Sequence, residues 1–156
     1  MQLARQLGIP GVLDAEQPLH HNEIAIQQAS HVAFSMQGLQ SYTTTSDPAH
    51  TICEIAARHG NWVAVTDGAN GVFWAFGQHC GQLKANPVNA VDTLGAGDTW
   101  HGAFALRLAE SQSETIAMRF ANAAAAIKCT RFGGRNGIPQ RAEVEQFLAS
   151  TKALDP

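Results

Sequence analysis

The segment Gly95-Ala96-Gly97-Asp98 combines two glycines and a carboxylate at the start of a predicted helix. The first residues of a helix carry backbone N–H groups without partners inside the helix, and glycines let a ligand approach them without a side chain in the way. Such a helix start binds anions, including phosphate groups. Neither GxxxxGK[ST] nor a GxGxxG after a strand is present, so phosphate binding is predicted from this helix start alone.

Asp98 can be interpreted in two ways. As a first-turn carboxylate it would be favoured by the positive end of the helix dipole and would serve the helix alone. In the other interpretation, amides 95–97 stabilise the charge on a phosphoryl group during transfer, while Asp98 orients and deprotonates the attacking alcohol. The residue types and their spacing leave both interpretations open.

Alternating strands and helices must position this segment. A helix end is predicted at 1–7, strands at 12–14, 31–35, 62–66, 72–76 and 82–85, and helices at about 21–29, 37–42, 48–59, 95–110, 114–129 and 140–149. Asp47 before Pro48 is a helix N-terminus signal, and Ser111 with Glu114 forms a capping box.

This order of elements predicts one α/β domain. Alternating strands and helices at the start favour a mostly parallel sheet, and the later hairpin favours an antiparallel edge. Ligands of open α/β sheets bind beyond the carboxyl ends of the strands. We therefore expect 66–71 and 95–98 near one rim of the sheet.

The composition argues against two classes of function. The net charge is −3 and no block of Lys or Arg is present, so we expect no binding to nucleic acid or to an anionic membrane. No apolar stretch is long enough to span a membrane. Charged residues make up 15% of the chain, against roughly 25% in typical soluble domains, so part of the surface is expected to be covered.

The cysteines and histidines indicate neither disulfides nor a metal site. Cys53, Cys80 and Cys129 are odd in number and widely spaced, which favours free thiols and a cytoplasmic location. The seven histidines form neither HxxxH nor HExxH. We therefore expect no histidine-based metal site.

Four stretches resemble one known family. Asp92-Thr93-Leu94-Gly95-Ala96-Gly97-Asp98-Thr99, followed by His101-Gly102-Ala103-Phe104, is similar to the DTxGAGDxFxGA signature of the ribokinase-like (PfkB) carbohydrate kinases. The other three stretches match in order and spacing, and they span 66–71, 119–126 and 130–135. The resemblance covers essentially all of the chain and implies a three-layer α/β/α ribokinase-like fold.

The resemblance also implies a role for each motif. Asp98 would be the catalytic base, and the amides of Gly95, Ala96 and Gly97 would form the anion hole for ATP-dependent transfer to a sugar hydroxyl. The residues placed near the nucleotide are Thr66, Gly68, Gly71, Gly97 and Asn122. The plainer alternatives are that the turn glycines only supply positive φ angles and that Asn122 is a polar helix residue bonded to the backbone.

Mg²⁺ and a monovalent cation such as K⁺ are further implications of the resemblance. The monovalent cation would bind backbone carbonyls at positions Asp92, Leu94, Cys129, Phe132 and Gly134. The family's NxxE element, which helps to organise magnesium and phosphate, would fall at 35–38, where the sequence has Ser-Met-Gln-Gly. Metal organisation is therefore expected to differ. Sulfofructose kinase-like members are similar in lacking this carboxylate, and the stretch 127–139 resembles them most.

The resemblance corresponds to the C-terminal part of the family's domain. The N-terminal part, with its small β-lid and most sugar-binding side chains, would be absent. We expect a carbohydrate kinase acting on a sugar or sugar-phosphate-like substrate. The alternatives are a non-catalytic nucleotide-binding remnant or a subunit that needs a complementing N-terminal chain, and a homodimer is a further possibility.

Overall fold

The computed structural model describes residues 1–16, 23–44, 47–110 and 112–152. The chain divides into two compact units, residues 1–84 and residues 85–156. Among the described residues, every helix is too short or too polar to cross a membrane.

The first unit contains a five-stranded sheet and four helices among its described residues. The strands are β1 (Val12–Ala15), β2 (His31–Ser35), β3 (Trp62–Thr66), β4 (Val72–Phe76) and β5 (His79–Leu83). The helices are α1 (Gln2–Gln6), α2 (Glu23–Gln28), α3 (Met36–Tyr42) and α4 (Pro48–His59). Residues 21 and 22, the predicted start of α2, lie outside the described part.

The sheet has the order β1-β2-β3-β4-β5. β1, β2 and β3 are parallel, while β4 and β5 form an antiparallel hairpin at one edge. The predicted parallel sheet with an antiparallel edge is thus confirmed. The last strand was predicted at 82–85 and this was wrong, because Phe76 pairs directly with His79 across a two-residue turn that begins with Gly77 at φ 58°. β5 therefore starts three residues earlier than predicted.

The central strands of the sheet are almost completely buried, which explains their continuous apolar sequences. In β2 and β3 the first four residues are all buried, as expected for parallel strands covered on both faces. Most of the core of this unit comes from these strands and from α2, α3 and α4. α4 begins as predicted, because the Asp47 side chain accepts from the His50 amide (3.1 Å) and Pro48 occupies the first helical position.

The second unit contains α5 (Ala96–Ala109), α6 (Glu114–Cys129) and α7 (Arg141–Lys152). α6 packs against both other helices, and its buried residues form a core with α7, namely Phe120, Ala123, Ala124, Ile127 and Val144. The predicted cap of α6 was wrong. Ser113 has an extended backbone and its Oγ accepts from the Ile116 amide (3.4 Å), so it takes the N-cap position. Ser111 lies outside the described residues.

Candidate active site

The start of α5 is held by a left-handed glycine and by a threonine. Gly95 occupies the N-cap with φ 76°, a conformation that costs glycine little and other residues more. The Thr99 amide and Oγ1 both donate to the Gly95 carbonyl, at 3.0 and 2.7 Å. Two bonds on one oxygen fix the orientation of the first peptide groups of the helix.

Three amides at this helix start are available to a ligand. Within the described part of the chain, the N–H groups of Gly95, Gly97 and Asp98 have no hydrogen-bond acceptor. The Ala96 amide instead donates to the Thr93 carbonyl (3.1 Å) and closes a tight turn. Of the amides 95–97 in the predicted anion hole, Ala96 is thus engaged, whereas the Asp98 amide, which was not part of that prediction, has no acceptor among the described residues. The anion hole itself stays a prediction.

Asp98 is exposed in the first turn of α5. Its carboxylate makes no hydrogen bond to any described residue, and its Oδ2 lies 3.8 Å from where a Cβ at position 95 would be. The N-cap is Gly95, which has no side-chain cap bond, so Asp98 is not a hydrogen-bonded capping residue. What remains of the plainer interpretation is the favourable helix dipole.

A cavity of about 240 Å³ adjoins Asp98 within the second unit. Its walls come from α5, α6 and the start of α7, and they are mostly apolar. The charged groups in the wall are Asp98 and Arg141, and the Arg141 guanidinium is paired with Glu110 and lies over the Phe120 ring. Arg141 lowers the pKa of Glu110, so this pair stays ionised to acid pH.

Asp92 connects the segment before α5 to the turn after α6. Its Oδ1 accepts from the Leu94 amide (2.9 Å), and its Oδ2 accepts from the Gly133 amide (2.8 Å), 41 residues away in sequence. These two amides, with Lys128 close by, hold the pKa of Asp92 below its ordinary value. Gly134 lies beside this connection, and a Cβ there would be in ordinary van der Waals contact with Leu94 Cγ, at 3.5 Å.

The five positions predicted to bind a monovalent cation do lie along this connection, but two of their carbonyls are already engaged. The Asp92 carbonyl accepts from Lys128 Nζ (2.8 Å). The Cys129 carbonyl accepts from the Val91 amide (2.8 Å) and the Asp92 amide (3.2 Å). A bound ion at the Asp92 oxygen would meet an ammonium group, so these residues do not fit the predicted cation site. Burial raises the pKa of the Cys129 thiol, which therefore stays neutral.

The side chains of Leu94 and Phe132, which also belong to the predicted cation set, are exposed by 70% and 78%. Side chains exposed to this extent contribute little to the hydrophobic core of the unit.

The turn at 66–71 belongs to the first unit and is held locally. The Asp67 amide donates to the Gly71 carbonyl (2.8 Å), and Asn70 Nδ2 donates to Asp67 Oδ2 (2.9 Å). Gly68 and Gly71 have φ angles of 49° and 91°, so both supply the positive φ of the plainer alternative. Thr66 Oγ1 points back to the Phe34 carbonyl (3.4 Å). Contact of this turn with nucleotide phosphates stays a prediction.

Asn122 is buried in α6 and accepts a hydrogen bond from Trp100 Nε1 (2.8 Å). The Trp100 ring in turn stacks on Phe104, with centroids 4.9 Å apart. The structure gives Asn122 an indole partner on α5, which the plainer alternative of a backbone partner did not include. Asn122 thus joins α5 to α6, and its contact with adenine stays a prediction.

The element that would organise magnesium is built differently in this chain. Ser35 Oγ accepts from the Gly38 amide (2.9 Å) and caps α3. A Cβ at position 38 would overlap the carbonyl oxygen of Ala15, so the fold has no room for the family's glutamate there. Among the described residues no three His, Cys, Asp or Glu side chains cluster as metal ligands. The residues present therefore do not fit a protein-bound magnesium at this element.

Sequence reasoning missed two residues that support the helix start. His101 Nδ1–H donates to the Gly97 carbonyl (2.8 Å), which the i, i+4 spacing could have indicated had histidine not been considered only as a metal ligand. Lys128 is fully buried, and nothing local in the sequence separates it from an exposed helix lysine. Its partner Asp92 is 36 residues away.

Residues 2–141 match the pfkB family carbohydrate kinase domain. Over 102 residues the chain is 41% identical to the ribokinase of Bacillus subtilis (strain 168), a match that covers 65% of this chain and 35% of that protein. The chain therefore aligns with about a third of the length of this curated relative.

Solved structures give the same result. A candidate ribokinase from Agrobacterium tumefaciens superposes with a TM-score of 0.90 and 36% identity, over 99% of this chain and 51% of that chain. A Vibrio cholerae fructokinase variant, bound to fructose, ADP and potassium, superposes with a TM-score of 0.80 and 25% identity, over 93% of this chain and 52% of that chain. This chain belongs to the pfkB family of carbohydrate kinases and has their ribokinase-like fold.

Proposed function

We propose that this chain is the nucleotide-binding and phosphoryl-transfer part of an ATP-dependent carbohydrate kinase, with Asp98 as the base. The observation that carries the proposal is the combination at the start of α5. An exposed carboxylate without a partner among the described residues lies in the same helical turn as three amides without acceptors. Residues 1–156 would correspond to the C-terminal part of such a kinase domain.

The amides and the carboxylate at the helix start would act on the two reacting groups, which are the phosphoryl group and the attacking hydroxyl. The amides of Gly95, Gly97 and Asp98, with the helix dipole, would stabilise negative charge on the transferring phosphoryl group. Asp98 would accept the proton of the attacking hydroxyl as the new P–O bond forms and the bond to the leaving ADP breaks. A positioned base of this kind accelerates transfer by roughly 10²–10⁴-fold.

The nucleotide would be ATP bound with magnesium. Magnesium usually keeps several waters and binds through substrate phosphates, so a nucleotide can bring it without a dedicated protein cage. This agrees with the missing carboxylate at position 38. We further propose that Thr66, Gly68 and Gly71 face the phosphates and that the α6 residue Asn122 lies beside the adenine. The fructokinase neighbour bound to ADP supports a nucleotide at this fold.

The acceptor would be a sugar or a sugar phosphate. The relatives and neighbours described above are ribokinases and fructokinases, so free pentoses and ketohexoses are the first substrates to examine. The resemblance to sulfofructose kinases stays a prediction and adds an anionic ketose to that set. Three free cysteines support a cytoplasmic location for the enzyme.

The test is phosphoryl transfer from Mg-ATP to ribose, fructose and an anionic ketose, comparing the unaltered chain with Asp98→Asn. Asn keeps the size of the side chain but cannot accept the proton. We expect Asp98→Asn to bind the nucleotide as well as the unaltered chain and to lose about 10²-fold or more in turnover. Equal turnover by the two proteins would refute the proposal, and Glu54→Gln, at an exposed position of α4, is the matched control.

A second candidate function is a subunit that transfers phosphate only with a complementing chain. It is favoured by the fact that the chain aligns with only 35% of the Bacillus subtilis ribokinase and 51% of the Agrobacterium tumefaciens structure. This candidate predicts nucleotide binding without turnover by the isolated chain. Turnover would appear on adding the N-terminal half of a related ribokinase, whereas full turnover by the isolated chain, as monomer or homodimer, would exclude it.

A further inference from the structure

Lys128 is a charged side chain without exposure to solvent. Its relative exposure is 0%, although it lies near the end of α6. Burial of an ammonium group is unfavourable unless hydrogen bonds and an opposite charge compensate it. Here the Nζ donates to the Asp92 carbonyl (2.8 Å) and lies 3.5 Å from Asp92 Oδ2. Both compensating groups belong to one residue.

The Lys128 side chain packs beside a glycine, Gly137. Gly137 is buried, and a Cβ at that position would lie 3.4 Å from Lys128 Cε and 3.4 Å from the Arg131 carbonyl. A Cβ at 137 would thus be in close contact with the lysine stem. The lysine is therefore part of how the turn after α6 packs, and its ammonium is directed to Asp92.

Lys128 occupies a position where a free cation was expected. The Asp92 carbonyl oxygen is one of the predicted ligands of a monovalent cation, and it already carries the ammonium hydrogen bond. A second positive charge on the same oxygen would be repelled at short range. The Cys129 carbonyl, another predicted ligand, accepts from two backbone amides.

We propose that the Lys128 ammonium replaces the monovalent cation in this chain. It fixes Asp92 from both its carbonyl and its carboxylate, and Asp92 in turn fixes the Leu94 amide just before the N-cap Gly95. It also neutralises a carboxylate that would otherwise repel an anionic ligand at the helix start. Lys128 is thus a positioning residue, and the chain does not need potassium. Only the affinity measurement in the test rests on the proposed nucleotide binding.

The first experiment uses the unaltered chain. Its unfolding midpoint and its Kd for Mg-ADP are measured in KCl, NaCl and choline chloride at equal ionic strength. We expect the same midpoint and the same Kd in all three salts. A higher midpoint in KCl, or a Kd about tenfold lower in KCl than in choline chloride, would overturn the proposal. If Mg-ADP does not bind at all, the proposed function fails, and the midpoints still decide the cation question.

The second experiment removes the charge and keeps the stem with Lys128→Met. We expect this variant to become potassium-dependent: in choline chloride its midpoint falls and its Kd for Mg-ADP rises about tenfold, and KCl restores part of both. Lys84→Met, at an exposed position of the first unit, should remain insensitive to the cation. A Lys128→Met protein that matches the unaltered chain in choline chloride, or one that KCl does not improve, would contradict the proposal. If the variant does not fold, the first experiment decides alone.

Discussion

The two glycine-containing turns of the proposed site are held in different ways. The turn at 66–71 is closed mainly by bonds between its own residues, with Asp67 bonded to Gly71 and to Asn70, and Gln82 Nε2 of the adjacent strand β5 adds a bond to the Asn70 carbonyl (2.9 Å). The segment 92–98 is held by residues far away in sequence, since Asp92 bonds to Gly133 and Lys128. The first is a locally determined turn, and the second depends on the packing of α6 and the turn that follows it.

This difference shows that a sequence motif does not identify the contacts that fix its conformation. Both segments match the family by sequence, yet the match describes only the residues within each segment. The ammonium of Lys128 and the amide of Gly133 are outside the DTLGAGD motif and determine its geometry. Substitutions at distant positions should therefore affect 92–98 strongly, whereas 66–71 should respond mainly to substitutions within the turn and in the strands next to it.

The largest effect is expected for Lys128→Ala. Removing a fully buried four-carbon stem leaves a cavity, and it also leaves Asp92 without its ammonium partner. The free energy of unfolding should fall by about 2–5 kcal/mol. Chemical denaturation would measure this, with Arg119→Ala at an exposed position of the same helix α6 as control, expected within about 0.5 kcal/mol of the unaltered chain. Equal stability of the two variants would show that Lys128 does not hold the segment 92–98, and the two segments would then not differ in this respect.

A matched pair of glycine substitutions sharpens the comparison. Gly95→Ala and Gly68→Ala each force alanine into the left-handed region, at φ 76° and 49°, and neither Cβ would have a contact closer than 3.7 Å. Each should lose about 1–2 kcal/mol of stability. Chemical denaturation measures both losses, and Mg-ADP titration should show weaker binding for both variants, because both positions belong to the proposed nucleotide site. A much larger stability loss at one of them would mean that its surroundings are tighter than described.

A smaller effect is expected for Asn70→Ala. The bond from Asn70 Nδ2 to Asp67 Oδ2 is exposed, and the backbone bonds of the turn remain after the substitution. Thermal or chemical unfolding should show a loss of about 1 kcal/mol or less. A loss as large as that of Lys128→Ala would show that the 66–71 turn is not held as independently as its local bonds indicate.

The smallest effect is confined to acid pH. The Leu94 and Gly133 amides hold the pKa of Asp92 below its ordinary value of 3.8. The unfolded state then binds the proton more tightly, so this stabilisation is present above that value and is lost as pH falls through the lower folded pKa. Below about pH 4, the free energy of unfolding of Asp92→Asn should therefore fall less steeply with decreasing pH than that of the unaltered chain.

That prediction is tested by comparing how steeply the free energy of unfolding falls with pH in the unaltered chain and in Asp92→Asn. Glu110 and Glu143 also have lowered pKa values, through Arg141 and Arg131, and both remain in the Asp92→Asn variant. Urea unfolding across the acid range would give the two slopes. Identical slopes would mean that Asp92 is not held by these amides in the folded protein.

Much of the fold could be predicted because it follows from local patterns. The apolar runs of β2, β3 and β4 and the Asp47-Pro48 start of α4 lie within a few residues of their own signals. Two local predictions failed for local reasons. β5 begins at His79 rather than at Gln82, directly after a two-residue turn, and Ser113 rather than Ser111 occupies the N-cap of α6.

For the site, too, the local features could be predicted from the sequence, whereas the contacts between distant residues could not. The helix start and the exposed Asp98 followed from the motif, because amides and dipole are properties of one helical turn. The replacement of a cation by Lys128 did not follow, since it depends on a contact over 36 residues. The Trp100–Asn122 bond across 22 residues was missed for the same reason.

The central claim is that the amides at the start of α5 bind the phosphates of a nucleotide. The most direct measurement is the unfolding midpoint of the chain with and without Mg-ATP, in the unaltered protein and in Gly97→Pro, which lacks one of the available amides. At about 100 times Kd the ligand should stabilise the unaltered chain by about 2.7 kcal/mol, or roughly 5–10 °C. Gly77→Ala, in the turn between β4 and β5, should keep that shift, and Gly97→Pro should lose it. A cooperative transition that Mg-ATP leaves unmoved, or an equal shift in Gly97→Pro, would contradict the claim.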